Sequence, residues 1–421
     1  MARLLVNPTS TVAARGGIDY WLTGIAVRSL SKPRPQEIPP ALFTEDARRL
    51  VEDANIDVVI ECIGGTGVAA ELVEEALRRG KHVVTANKDL LATRGPELRA
   101  LAAKHGVTIA YEAAVGGAIP IVRTIRESLA GEEILEVGGV LNGTTNFILS
   151  QMSAGATYRA ALAQAQRLGF AEADPASDVE GIDAAHKLAI LAQLAFRRAL
   201  VTHQIPRAGI TQLTPDDLSL AKRLGYTLKL VACARADASI VTPAYVRSEH
   251  PFAQPVGPQN CIRVTGRASG SLTFAGTGAG SAPTASAVIG DVVAVLRTIE
   301  VRRIVGARPD VALKPEAAGA ERPIPLHLVV RLVSFRDARP AREELNRAGV
   351  ETRLLDGVPA LVTAQRLDGS SAIAEMLRVL SVAGIAPESI IPLWEDLPHD
   401  SDLTRSSPAS RDDTLAATLP R

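Results

Sequence analysis

Hydrophobic positions fall into two regimes along the chain. Between residues 20 and 115, short apolar runs alternate with segments whose apolar positions recur at helical spacing. LTGIAVRS (22–29) predicts a strand. IDVVIECI (56–63) is almost continuously β-branched, as in a strand buried on both faces, and it ends at Gly64-Gly65. VAAELVEEALRRG (68–80) carries one apolar stripe and stops at a glycine, which predicts a helix. HVVTAN (82–87) predicts the next strand, PELRALAAKHG (96–106) a helix opening near Pro96, and VTIAYEA (107–113) a further strand. Strands separated by such helices imply βαβ units in a parallel, doubly wound sheet.

Beyond residue 117 the pattern changes. Helices are predicted at 119–130, 157–168, 178–197 and 282–298, with strands near 134–141, 226–236, 240–248, 260–266 and 270–276. The later strands follow one another without long helices, which points to an antiparallel or mixed sheet. A Pro-, Ala- and Gly-rich stretch at 305–325 reads as a linker. After it, the alternation gives β-α-β-α-β with room for one more strand near 350–355, in ferredoxin-like order. The expected class is α/β. A Rossmann-type doubly wound part occupies 1–116, an α+β part 117–304, and a small ferredoxin-like domain 326–398. The polar tail 399–421 is expected to be disordered.

Composition narrows the functional classes. Lys+Arg and Asp+Glu are 46 each, so net charge gives no reason to expect nucleic-acid binding. The three cysteines form no CxxC pair, which argues against a disulfide framework or a zinc knuckle and suits a reducing, cytoplasmic setting. No apolar run reaches the ~18 residues of a membrane span, and no HxxxH or HExxH spacing signals a transition metal. A sheet of this kind usually binds a dinucleotide at a GxGxxG turn after its first strand. That fingerprint is missing, as is the strand that should precede 22–29. The turn Gly64-Gly65-Thr66-Gly67 follows a later strand and would still let backbone approach a cofactor. Arg28, with Lys32 nearby, suits a 2′-phosphate and favours NADP(H) over NAD(H).

Chemistry concentrates in five stretches. In LGFAEADPASDVEGIDAAHKLAILAQLAF (168–196), Glu172, Asp174, Asp178, Glu180 and Asp183 crowd together, and Lys187 lies i+4 from Asp183 on one helix face. A partly desolvated Lys beside carboxylates can give a proton to a carbonyl oxygen, and the carboxylates can hold an ammonium group. The same spacing also fits an acidic helix start with an ordinary ion pair. In TANKDLLA, Lys88 sits just past a strand end, where doubly wound folds place ligands. YEAAVGGAIPIVRTI (111–125) puts Glu112 before a Gly116-Gly117 turn. GGVLNGTTNFIL (138–149) sets Asn142, Gly143, Thr144 and Thr145 at a helix start that suits a small anion or simple capping. AGTGAGSAPTASAVIGD (275–291) is a glycine loop running into a helix.

Taken together, VTANK, EAAVGGAIPI, LNGTTN, GFAEADPASDVEGIDAAHK and GxGAGxxPTA, in that order, make residues 20–298 resemble homoserine dehydrogenase. The resemblance implies NAD(P)H-dependent reduction of L-aspartate 4-semialdehyde to L-homoserine, on the route to threonine and methionine, by a homodimer or homotetramer. It implies that Lys187 is the general acid, with Lys88 beside nicotinamide and substrate. Glu172, Asp178 and Asp183 would bind the substrate's amino end, and Gly143 and Thr144 would contact the substrate. Gly64, Thr66, Gly278 and Gly280 would touch the cofactor. Backbone oxygens of Glu112, Val115, Gly117 and Ile119 would hold a monovalent cation such as sodium.

Two departures shape the expectations. The family's first strand and glycine turn are absent, which leads us to expect a start codon placed too far downstream, with roughly 15–20 further residues in the natural protein. The rival reading is a relic that lost cofactor binding and acts as a regulatory, dimerising protein. The C-terminal segment resembles an ACT domain, a small-molecule sensor. It reads SFRDARPARE where that domain usually has an Asp-x-Pro-Gly turn, so threonine control is not expected.

Overall fold

The computed structural model describes residues 1–6, 12, 15, 19–305, 324–355 and 357–394. All but the ends of the expected linker, and all of the expected tail, lie outside these residues.

The N-terminal half is built on a parallel sheet in the order β3 (Val58–Glu61), β4 (His82–Thr85), β5 (Ile109–Ala110). Every residue of β4 is buried, as its β-branched run requires. The helix Val68–Arg78 follows β3 and buries Ala69, Ala70, Leu72, Val73, Ala76 and Leu77. Gly80, at φ +73°, turns the chain back into the sheet. A separate parallel ladder pairs β1 (Ile25–Ala26) with β2 (Phe43–Thr44). The strand expected at 22–29 is therefore only two paired residues, and it does not join the β3–β5 sheet. A cavity of about 500 Å³, lined by Ile25, Val58, Ile60, Val73 and Val292, lies between the two ladders.

The helix expected to open near Pro96 instead runs Lys88–Lys104, with Pro96 inside it. Proline has no N–H for the carbonyl four residues back, here that of Ala92. Gln193 Nε2 donates to that carbonyl at 3.4 Å, and Gly95 lets the two helices come this close. Asn87 caps the true start by accepting from the Leu90 N–H at 3.1 Å. The strand expected over 107–113 is confined to Ile109–Ala110, and Glu112 lies in a 3-10 turn, Glu112–Ala114. The helix expected at 178–197 is broken by Gly181, at φ +75°, into Ala176–Val179 and Ile182–Phe196.

The second half folds around one mixed sheet. Its order is β10 (Gly270–Thr277), β9 (Gln259–Gly266), β6 (Ile134–Val140), β7 (Tyr226–Arg235), β8 (Ser239–Arg247), β15 (Ser389–Trp394), β11 (Pro325–Arg331), β13 (Ala360–Thr363), β12 (Thr352–Leu354). A short strand, β14 (Leu367–Asp368), pairs with the start of β11. Alternation along β7 sends Leu228, Leu230 and Ala232 toward the helices Gly143–Ser153, Ile182–Phe196 and Pro215–Arg223. Val231 and Cys233 face the other way, into a cluster with Phe252 and Trp394. The last four long strands run in ferredoxin-like order, β15-β11-β13-β12, with helices Phe335–Arg347 and Gly369–Val382 packed on them. Their sheet continues the central one, because β15 pairs in parallel with β8 through Leu393↔Tyr245 and Trp394↔Val246.

Candidate active site

Asp183 stands at the centre of the site. It lies in the first turn of helix Ile182–Phe196, with its side chain only 4% exposed. One carboxylate oxygen accepts from Lys187 Nζ at 2.7 Å, the other from Lys88 Nζ at 2.8 Å. Lys187 comes from the next turn of the same helix. Lys88 comes from the N-terminus of the helix that follows β4. Asn142 caps the helix Gly143–Ser153, accepting from the Thr145 N–H at 2.8 Å. Its amide nitrogen donates to Asp183 at 2.8 Å and to Asp178 at 2.7 Å. Three separate segments thus converge on one carboxylate.

The electrostatics follow from burial and pairing. Burial alone would favour the protonated acid of Asp183. The charges of Lys187 and Lys88 reverse this and hold the carboxyl well below its usual range. Burial works against the Lys88 ammonium, but Asp183 outweighs it and raises the lysine above its ordinary value. Asp178 moves up, mainly by burial, with the nearby Asp183 charge adding to the shift against the Asn142 hydrogen bond.

An ammonium has three N–H donors. Lys187 spends one on Asp183 and one on the Leu141 carbonyl at 2.9 Å. The third has no hydrogen-bond partner among the described residues. Its side chain is 10% exposed, against 37% for Lys88, so Lys187 is the more desolvated donor.

The glycine stretches meet this centre through backbone contacts. Asn260 Nδ2 also donates to the Leu141 carbonyl, at 2.8 Å, and Gly278 packs so tightly on Asn260 that a Cβ there would overlap its amide. Gly117, at φ +59°, abuts the Gly278 backbone, where a Cβ would lie 2.6 Å from a carbonyl carbon. Glu112 is buried beside that turn. Its carboxylate accepts from the N–H groups of Val122 at 2.7 Å and Arg123 at 2.9 Å, and its own N–H donates to Asp291 at 2.7 Å. Burial raises both acids. Val115, Gly117 and Ile119 are buried around the same turn. The Ile119 carbonyl accepts from the Ile121 N–H at 2.8 Å, which leaves one lone pair.

Gly64 and Thr66 lie on an exposed turn at the carboxyl end of β3. Buried Glu61 anchors it, accepting from the N–H groups of Ile63 at 2.6 Å and Gly64 at 2.9 Å and from the Thr85 hydroxyl at 2.5 Å. Asn87 Nδ2 donates to the Gly65 carbonyl at 2.7 Å, so one residue both caps the Lys88 helix and fixes this turn. Gly143 sits where a Cβ would meet the Pro258 carbonyl at 2.6 Å, and the Thr144 hydroxyl donates to the Phe170 carbonyl at 2.7 Å.

Two expected residues stand apart from the centre. Arg28 is exposed beyond β1, and Glu172 is exposed on the loop before helix Ala176–Val179. The Glu172 carbonyl accepts from Gln166 at 3.1 Å, and no bond from its side chain reaches Asp183 or the lysines among the described residues. Cys62, expected in the buried strand, lies just past it and is exposed. Asn260 and Asp291 were not singled out by the sequence. An asparagine inside an apolar strand, as in QNCIRV, is the one sign that could have flagged the first.

Comparison with known proteins agrees with this assembly. Residues 120–293 match the homoserine dehydrogenase family, and residues 1–112 match the family described as homoserine dehydrogenase, NAD binding domain. A homoserine dehydrogenase of Mycobacterium tuberculosis is 45% identical over 318 residues, 73% of this chain and 71% of that one. The crystal structure of a homoserine dehydrogenase from Thiobacillus denitrificans superposes with a TM-score of 0.81 at 34% identity, covering 91% of this chain and 92% of the other. A hyperthermophilic archaeal homoserine dehydrogenase in complex with NADPH aligns at 30% identity with a TM-score of 0.54, over 61% of this chain and 75% of that one. With relatives this similar over both parts of the site, the chain belongs to the homoserine dehydrogenase family of NAD(P)-dependent oxidoreductases.

Proposed function

We propose that this chain reduces L-aspartate 4-semialdehyde to L-homoserine, in threonine and methionine biosynthesis in the cytoplasm, with NADP(H) preferred over NAD(H). The observation that carries this reading is the Lys88–Asp183–Lys187 cluster at the carboxyl end of a parallel sheet. The bound cofactor supplies the hydride. Lys187, held by Asp183 and the Leu141 carbonyl, turns its remaining N–H to the aldehyde oxygen and protonates it as negative charge develops. Lys88 adds positive charge beside it. Asp178 and Asp183 offer carboxylates to the substrate's ammonium end, and Glu172, on the exposed loop before helix Ala176–Val179, would supply a third. Gly143 and Thr144 line the same end.

The exposed turn at Gly64 and Thr66 fits a dinucleotide, since space is open above Gly64, Gly65 and Gly67. Gly278 and Gly280, on the glycine loop before helix Ser281–Val305, would also meet the cofactor, and Arg28 is exposed to meet a 2′-phosphate. The buried carbonyls of Glu112, Val115, Gly117 and Ile119 fit the oxygen-only preference of a hard monovalent cation such as sodium. We assign the ferredoxin-like segment 326–398 as an ACT-like module, residues 1–116 and 117–304 as cofactor and substrate domains, and a homodimer or homotetramer as the assembly.

The test is oxidation of NADPH and of NADH with aspartate semialdehyde, with Lys187→Met and Arg28→Ala as variants. Substrate-dependent oxidation lost in Lys187→Met, and an NADPH preference lost in Arg28→Ala, are expected. Full turnover in Lys187→Met would overturn the assignment of the proton donor.

A further inference from the structure

A second pocket, of about 430 Å³, lies at the seam between the central sheet and the C-terminal module. Among the described residues its ionisable lining is Arg235, Arg247, Arg263 and Arg366 against the single carboxylate of Glu136. Four guanidinium groups less one carboxylate leave three positive charges in excess.

Two of the arginines, Arg235 and Arg263, are held in place. Arg235 donates to Glu136 through Nε at 2.9 Å, and Arg263 donates to the other oxygen at 3.3 Å. The Arg263 guanidinium lies 5.0 Å over the Phe252 ring. These groups come from β6, β7 and β9, and Arg247 ends β8. Arg366 and Trp394 come from the C-terminal module. Like charges lining one pocket repel, and an anion bound among them would offset that repulsion. Guanidinium groups suit phosphate and carboxylate oxygens, which they meet in bidentate pairs. A zwitterionic amino acid, carrying no net charge, would leave the excess uncompensated.

We propose that this pocket binds a small polyanion, bearing phosphate groups or several carboxylates, and so ties the C-terminal module to the central sheet. The site is separate from the Lys88–Asp183–Lys187 centre, and it does not depend on the reaction assigned there.

The chain has two tryptophans, Trp21 and Trp394. In a Trp21→Phe background Trp394 is the sole indole reporter. Pyrophosphate and citrate are titrated into the full chain at constant ionic strength, with sodium chloride as the control. A saturable change in Trp394 emission is expected at millimolar anion or below. Tighter pyrophosphate assigns a phosphate-bearing ligand, and tighter citrate a polycarboxylate. Arg247→Gln or Arg366→Gln should weaken binding about tenfold, and Glu136→Gln should tighten it. Circular dichroism checks that each variant is folded. No saturation with either anion, the same change with chloride, or equal binding in folded Arg247→Gln and Arg366→Gln would overturn the proposal.

Discussion

Asp183→Asn is the substitution that bears hardest on the central cluster. It keeps the shape of the side chain and removes the charge that two ammonium groups share at 2.7 and 2.8 Å. The two lysines respond differently. Lys88 is 37% exposed and can turn its head into water. Lys187 is 10% exposed and cannot, so its charge is left buried without its hydrogen-bonded counterion, with Asp178 the remaining carboxylate nearby. Breaking a buried pair from one side costs about 3–5 kcal/mol. Lys187→Met is milder, because Asp183 keeps Lys88 and Asn142 while Leu141 keeps Asn260, and its loss is about 1–3 kcal/mol. The double variant Asp183→Asn/Lys187→Met removes both buried charges and should be more stable than Asp183→Asn alone.

Urea unfolding followed by circular dichroism gives the three stabilities. The pH dependence supplies a second sign. A carboxyl held below its unfolded value of about 3.9 stabilises the fold fully above that pH, and the stabilisation fades as pH falls toward the folded value. The acid limb of the wild-type stability curve should therefore be steeper than that of Asp183→Asn. In turnover, Lys187→Met should lose about 10²–10⁴ in kcat, the usual contribution of a positioned acid. Wild-type stability in Asp183→Asn, or a double variant destabilised by the full sum of the singles, would refute the reasoning.

Three further outcomes are expected. Gly117→Ala places a Cβ 2.6 Å from the Gly278 carbonyl carbon at a positive φ, so it should lose about 1–3 kcal/mol in urea unfolding and raise KM for the nicotinamide cofactor; unchanged values of both would refute the contact's role. Lys229 is buried on β7 and donates to Asn146 at 2.7 Å, and burial pushes its pKa down to about 8 from 10.5. Its unfolded form holds the proton more tightly, so wild-type stability should rise relative to Lys229→Gln between those pH values, by up to roughly 3 kcal/mol, and parallel pH curves would contradict this. Arg331 donates to Asp217 at 2.9 Å, contacts Glu388 and joins the C-terminal module to the helix Pro215–Arg223; Arg331→Met leaves the wholly buried Asp217 with its Thr214 and Ser389 hydrogen bonds but without its cationic partner, and should cost about 3 kcal/mol in urea unfolding, partly recovered in Arg331→Met/Asp217→Asn.

Much of the cluster could be read from the chain because its signals are local. Asp183 and Lys187 announce themselves by i,i+4 spacing on an apolar helix, and Lys88 by its place just after a β-branched run. Pro96 misled for a physical reason. A proline normally marks a helix start, but here Gln193, almost a hundred residues on, supplies the donor that the proline lacks. The ferredoxin-like order of the last segment is visible in its alternation. Its fusion to the central sheet is not, since two parallel residue pairs between β8 and β15 leave no periodic trace.

What sequence could not supply is the coupling between stretches, and it runs through backbone atoms. The Leu141 carbonyl accepts from both Lys187 and Asn260. Asn260 in turn is wedged against Gly278, and Gly278 against Gly117. The position of the proposed proton donor and that of the glycine loop proposed to meet the cofactor are therefore set from one oxygen. A carbonyl is the same in every residue, so no side-chain pattern at position 141 could reveal this. The glycines at 117 and 278 are needed because the backbones meet with no room for a Cβ, a requirement that only the folded contact between two distant turns makes visible.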